Sequence, residues 1–117
     1  MFETIQREEI QRRLESGEAM TLVEALPARY YQDRHLPGAI NIPHDEIEER
    51  AAERLPDKSA FIVVYCASTG CRNSAIAADT LDRLGYRNVH EYVEGKEDWE
   101  GAGLPFETGT EAARNAA

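Results

Sequence analysis

Lysine is almost absent from this chain of 117 residues: Lys58 and Lys96 are the only two, and the remaining basic residues are arginines. Acidic residues outnumber basic ones by 22 to 13, for a formal net charge of −9. That deficit argues against a nucleic-acid partner, because phosphate binding needs a clustered basic surface and here most arginines sit among carboxylates. It also repels small free anions at long range. Cysteine is equally scarce. Cys66 and Cys71 are the only two, and no secretory signal accompanies them, so a disulfide framework is not expected and chemistry is a better reading than stapling. Long apolar runs are missing as well: none approaches the roughly 20 residues that span a bilayer. The start Met1-Phe2-Glu3-Thr4-Ile5-Gln6-Arg7-Glu8-Glu9 has no cationic stretch followed by an apolar core. The expectation is a soluble, cytoplasmic protein with no membrane partner. No internal repeat or low-complexity linker divides it, and its length suits one domain with a single core.

What is present is an alternation of short elements. Thr4 can cap a helix running to about Ser16, with Ile5, Ile10 and Leu14 on one face and Gly17 as its stop. Thr21 to Ala25 reads as a buried strand, and Pro27 to Asp33 as a short helix with proline in its first turn. Pro37-Gly38 forces a turn before a strand over Ala39 to Ile42, and Asp45 to Arg54 is a helix with Ile47, Ala51 and Leu55 as its stripe. Phe61 to Tyr65 is the most apolar run, as a central parallel strand buried on both faces would be. A helix from Asn73 to Gly85 follows, with Ile76, Ala77, Leu81 and Leu84 at helical spacing. Val89 to Val93 is another strand, and Gly95 opens a helical turn through Trp99. Strands alternating with helices predict a parallel α/β sheet with right-handed crossovers.

Cys66 stands where the central strand ends and the small-residue segment Ala67-Ser68-Thr69-Gly70-Cys71-Arg72 begins. In parallel α/β sheets ligands bind outside the carboxyl ends of the strands. A thiol delivered there faces the N-terminus of the next helix, whose free N–H groups and dipole stabilise a thiolate, a persulfide or an oxyanion. Loop N–H groups from Ala67 to Arg72 pointing inward would add to this. Cations or helix dipoles lower a cysteine pKa from roughly 8.5 into the range of about 3.5–7.5. Cys71, five residues further on, has two readings: a small residue filling the loop, or a resolving thiol that attacks an oxidised or persulfidated Cys66. Two thiols without a nearby histidine pair make no recognisable zinc pattern, so neither metal nor cofactor is expected.

Three segments together resemble the single-domain rhodaneses. Arg34-His35-Leu36-Pro37-Gly38-Ala39-Ile40-Asn41-Ile42-Pro43 is similar to that family's first block, and the thiol loop is the second. The third is Gly85-Tyr86-Arg87-Asn88-Val89 continued by Gly95-Lys96-Glu97-Asp98-Trp99-Glu100-Gly101-Ala102-Gly103-Leu104-Pro105. The resemblance implies a three-layer α/β domain over residues 1–107, with a central, mostly parallel sheet flanked by helices. Residues 108–117 form a tail with little to bury, expected to fray. It implies a sulfurtransferase: Cys66 takes a sulfane sulfur from a small donor or a persulfide-carrying protein, holds it as a persulfide and passes it to a nucleophilic acceptor. Arg72 would orient an oxyanion donor. In this family the histidine at position 35 mainly organises its turn.

The chain departs from the family pattern in two places. The usual loop has glycine three residues after the cysteine and arginine five after, whereas Gly70 is four on and Arg72 six on, and Ala77 and Ala78 are displaced by two. Cysteine, five residues, then arginine is the spacing of cysteine phosphatases and of arsenate reductases on the same fold, which is the alternative activity. A binding module that kept the fold and lost the chemistry is the second alternative. Upstream, family members commonly carry Asp-Val-Arg where this chain has Glu24-Ala25-Leu26. The missing arginine implies a more apolar pocket wall with fewer cations for a small dianion.

Overall fold

The computed structural model describes residues 2–111. Its elements run in chain order as β1 (Glu3–Thr4), α1 (Arg7–Ser16), β2 (Thr21–Glu24), α2 (Ala28–Asp33), β3 (Ile40–Asn41), a 3₁₀ turn (His44–Glu46), α3 (Ile47–Arg54), β4 (Ile62–Tyr65), α4 (Asn73–Arg83), β5 (Val89–Tyr92) and α5 (Gly95–Gly101). The five strands form one parallel sheet in the order β1-β5-β4-β2-β3. Among the described residues no helix is long and apolar enough to cross a membrane.

The pleat of β4 divides the core. Ile62 and Val64 pack on one face against α3 and α4, with Ala77, Ala78 and Leu81, while Val63 and Tyr65 join Ile10, Tyr92 and Trp99 on the other. Successive side chains of a strand point to opposite faces, so a central strand serving two layers must be apolar throughout, and all four β4 residues are buried. Full burial of each aliphatic side chain contributes roughly 1.5–3 kcal/mol. Tyr86 closes the lower edge of the α3 layer by donating to the carbonyls of Ala51 and Leu55 at the end of that helix. Tyr86→Phe takes the hydroxyl from the Leu55 carbonyl, while the Ala51 carbonyl keeps the Leu55 N–H, and a loss of about 1–3 kcal/mol is expected in urea unfolding.

Several elements differ from expectation. Thr4 is no helix cap: it lies in β1, paired with Glu91 of β5, and α1 starts from Gln6 without a side-chain cap. A two-residue edge strand has too few residues for an alternation to show. Ile76 is 45% exposed, because the stripe of α4 that meets the sheet is carried by Ala77, Ala78 and Leu81. Of the adjacent tyrosines, Tyr31 is buried and Tyr30 is exposed, as their separation of about 100° on a helix requires. Trp99 is core, its Nε1 donating to the carbonyl of Pro105 at 2.8 Å.

At the start of the tail, where fraying was expected, Gly109 N–H donates to the carbonyl of Gln32 and the Glu111 carboxylate accepts from Asn41 N–H and Arg54. The rest of that expectation, residues 112–117, lies outside the described residues.

Candidate active site

Period-two alternation carries Cys66, the residue after β4, to the same face as Ile62 and Val64, under the first turn of α4. The residue is 1% exposed. The thiol donates to Ser74 Oγ at 3.3 Å and lies 3.6 Å from the carbonyl oxygen of Cys71. Ser74 Oγ in turn donates to Glu91 Oε2 at 2.7 Å. Glu91 shares the α4 side of β5 with Val89 and pairs in register with Val64, which places its carboxylate behind the hydroxyl.

This setting acts on the thiol in the opposite direction to the one expected. Burial, reinforced by the Cys71 side chain, pushes the Cys66 thiol up to about 11, while the hydroxyl and backbone N–H of Ser74 work the other way. The difference is physical. The first-turn N–H of Ser74 does act on the sulfur in the expected sense, but the sulfur lies deep, and the cost of burying its charge outweighs that help.

The candidate loop stands above it. Ala67, Thr69, Gly70 and Arg72 are exposed, Ser68 and Cys71 half-buried. Cys71 N–H closes a turn onto the Ser68 carbonyl at 3.0 Å, so it is not one of the inward-pointing donors expected of this loop. Arg72 ends the loop next to α4, and among the described residues its guanidinium has no hydrogen bond or ion pair. Cys66 and Cys71 are both free thiols. Among the described residues no group of three or more His, Cys, Asp or Glu side chains is arranged to hold a metal ion.

The base of the loop is clamped by the turn into α5. Lys96 N–H donates to the Cys66 carbonyl at 3.0 Å and Glu97 N–H to the Ala67 carbonyl at 2.8 Å. Gly95 makes that approach feasible: its φ is +63°, and a Cβ there would sit 2.3 Å from the Cys66 carbonyl oxygen.

On the opposite face of the sheet the expected apolar wall is corrected. Lys96 reaches inward, its Nζ donating to Glu24 Oε2 at 2.8 Å and to the Tyr30 carbonyl at 3.0 Å. Glu24 also accepts from the Tyr65 hydroxyl at 2.9 Å, and that hydroxyl accepts from Leu36 N–H. A cation is therefore present beside the loop, supplied by α5 instead of the strand end. Ala67, Ser68, Lys96 and Arg34 line a cleft of about 290 Å³ there, together with acidic side chains. A second cleft, of about 430 Å³, opens by Thr69 between Arg7, Glu94, Glu97 and Asp98. Sequence reading missed Glu24, Glu91, Ser74 and Lys96. The available signals were charged residues inside short buried strands and one of only two lysines. His35 lies away from this cluster, fully buried, stacked on Tyr31 at 3.8 Å and with Nδ1 2.7 Å from the Tyr31 carbonyl; it holds its turn, as the resemblance implied.

Comparison with known proteins identifies the family and the fold. An HTH-type transcriptional regulator of Mycobacterium tuberculosis is 40% identical over 107 residues, which are 92% of this chain and 46% of that protein. The thiosulfate sulfurtransferase PspE of Escherichia coli is 44% identical over 59 residues, 50% of this chain and 55% of that protein. The chain thus spans about half the length of these relatives. In three dimensions the BH2092 protein of Bacillus halodurans superimposes with a TM-score of 0.84 at 28% identity, covering 91% of this chain and 77% of that one. The rhodanese-like domain model matches residues 6–102, nearly the whole α/β sheet with its cysteine at the end of the central strand, and the chain belongs to the rhodanese-like domain family.

Proposed function

We propose that the chain is a sulfurtransferase that carries sulfane sulfur on Cys66. The observation that carries this reading is the position of that thiol, at the carboxyl end of the central strand beneath the first turn of α4. The Cys66 thiolate attacks the outer sulfur of the donor; the new S–S bond forms as the donor's S–S bond breaks, and the leaving group departs with the electron pair. A nucleophilic acceptor, a thiol or another group, then takes the outer sulfur and the Cys66 thiolate is released, with no net redox change. Cys66 is 1% exposed, so transfer requires donor and acceptor to gain access past the loop of residues 67–72. The names of its relatives support the class of reaction; one of them is a thiosulfate sulfurtransferase, and none names an acceptor for this chain.

The donor is a protein persulfide or a low-molecular-weight persulfide in preference to free thiosulfate. Both clefts beside the loop carry several carboxylates and the net charge is −9, which disfavours a small dianion. A low-micromolar thiosulfate KM would overturn that choice. Phosphate or arsenate chemistry is less well supported, since it needs loop N–H groups converging on the anion and Cys71 N–H is turned to Ser68.

The test is intact mass after incubation with a persulfide donor, thiosulfate or a phosphotyrosine analogue. The expected result is a gain of one sulfur atom, removed by cyanide and absent in Cys66→Ala. Release of phosphate instead supports the phosphatase reading, and absence of both supports a binding module.

A further inference from the structure

Glu91 is 8% exposed, in a strand whose other inward residue on that face is Val89, and among the described residues no cation pairs with it. Its Oε2 is served by Ser74 alone, and Ser74 is fully buried. A buried carboxylate with a single hydroxyl donor costs stability, so packing does not account for it. What it has is a continuous path to the sulfur: Cys66 Sγ to Ser74 Oγ at 3.3 Å, then Ser74 Oγ to Glu91 Oε2 at 2.7 Å, with both donors aimed in the same direction.

We propose that Glu91 is the proton acceptor for Cys66, with Ser74 passing the proton between them. The Cys66 S–H proton moves to Ser74 Oγ as the Ser74 O–H proton moves to Glu91, which leaves a thiolate, an unchanged serine and a neutral carboxylic acid. No charge is created in the interior; one negative charge changes place. The alternative, a thiolate formed while Glu91 keeps its charge, puts two like charges into one low-dielectric site, where they repel. When sulfur transfer frees the thiolate again, the proton returns along the same path.

The other titratable groups around this path sit on the neighbouring elements. Glu3 of β1 is opposite His90, whose ring turns to the other face and stacks on Phe61. Tyr65 of β4 and Lys96 of α5 belong to the Glu24 cluster across the sheet. Cys71 and Arg72 lie on the loop side, and Glu94 precedes α5. None of them is hydrogen-bonded to Glu91 among the described residues, so Ser74 is the side chain that links Glu91 to the sulfur.

The proposal deepens the sulfurtransferase reading, but its test is independent of sulfur transfer: the rate at which iodoacetamide alkylates Cys66, followed by peptide mass spectrometry as a function of pH. With the thiol held up to about 11, direct ionisation alone gives a rate that rises about tenfold per pH unit, and the relay adds a share of thiolate that does not depend on pH. The wild-type rate should therefore level off toward low pH, changing by no more than about threefold between about pH 6 and 7. Glu91→Gln keeps the acceptor for Ser74 but cannot take up the proton, and its rate should fall below wild type at pH 7 and keep falling about tenfold per unit down to about pH 6. If Glu91 only repels the thiolate, Glu91→Gln will instead react faster at pH 7, and the proposal fails. It fails equally if the wild-type rate shows no levelling. Ser74→Ala is the second variant, for the case that Glu91→Gln does not fold: it should show no levelling, and a plateau like that of wild type overturns the relay. Loss of sulfur loading with the low-pH plateau intact would count against the sulfurtransferase reading alone.

Discussion

Lys96→Met is expected to cost about 3–5 kcal/mol of folding stability, because it leaves the Glu24 carboxylate buried without its cation. Glu24 is fully buried and Lys96 is 6% exposed. Burial already holds the Glu24 carboxyl above the ordinary carboxylate range, and Lys96 and the Tyr65 hydroxyl act against that rise. Removing Lys96 removes the larger of the two favourable partners. Single domains commonly have total stabilities of about 5–15 kcal/mol, so the variant should be marginal at best. Urea unfolding measures it, and a loss below about 1 kcal/mol would show that the pair is not the support we take it to be. The double variant Glu24→Gln with Lys96→Met should recover part of the loss, since a glutamine oxygen still accepts from Tyr65 and no unpaired charge remains. Failure to recover would mean that Lys96 acts mainly through the Tyr30 carbonyl.

Gly95→Ala should damage both stability and sulfur loading. The added Cβ meets the Cys66 carbonyl oxygen at 2.3 Å and the carbonyl carbons of Cys66 and Ala67 at 3.0 Å. These are backbone atoms, held in place by the Lys96 and Glu97 N–H groups, so no side chain can move aside to relieve the clash. The positive φ adds roughly 1–2 kcal/mol for a residue with a Cβ. Something must shift, and what shifts is the chain on either side of Cys66. A loss of at least about 2 kcal/mol in urea unfolding is expected, with a slower gain of sulfur at Cys66 by intact mass. An alanine variant with unchanged unfolding and loading would mean that α5 can withdraw freely, and the clamp on the loop would have no consequence. Gly17 is the control: its φ of +76° is similar, yet a Cβ there meets nothing within 4 Å. Gly17→Ala should therefore show the backbone cost alone.

The alternation of elements was legible because each strand is a short apolar run bounded by turn residues and each crossover helix has a stripe that a sheet can bury. Cys66 was legible for a similar reason: the most apolar run ends on it, and a small-residue loop and a helix follow. The edge strand at Glu3 and Thr4 was not, since two residues carry no period. Nor was the environment of the thiol. Glu91 is 17 residues from Ser74 and Glu24 is 72 from Lys96, and nothing local in either strand says which partner a buried charge will meet. The substitution of Glu24-Ala25-Leu26 for an arginine-bearing strand end read as a loss of positive charge, yet a lysine from the far end of the chain supplies it.

By itself, then, the amino-acid sequence determined the parallel α/β arrangement and the place of Cys66 at the end of its central strand, because hydrophobic periodicity and turn chemistry act over a few residues. The tertiary structure alone decided what that thiol faces. The pleat of the sheet sends alternate residues to opposite layers, so Cys66 and Glu91 meet Ser74 beneath α4 while Glu24 and Tyr65 meet Lys96 beneath α5. Which charges end up near the sulfur depends on strand register and helix docking, and those follow from contacts between residues far apart in the chain.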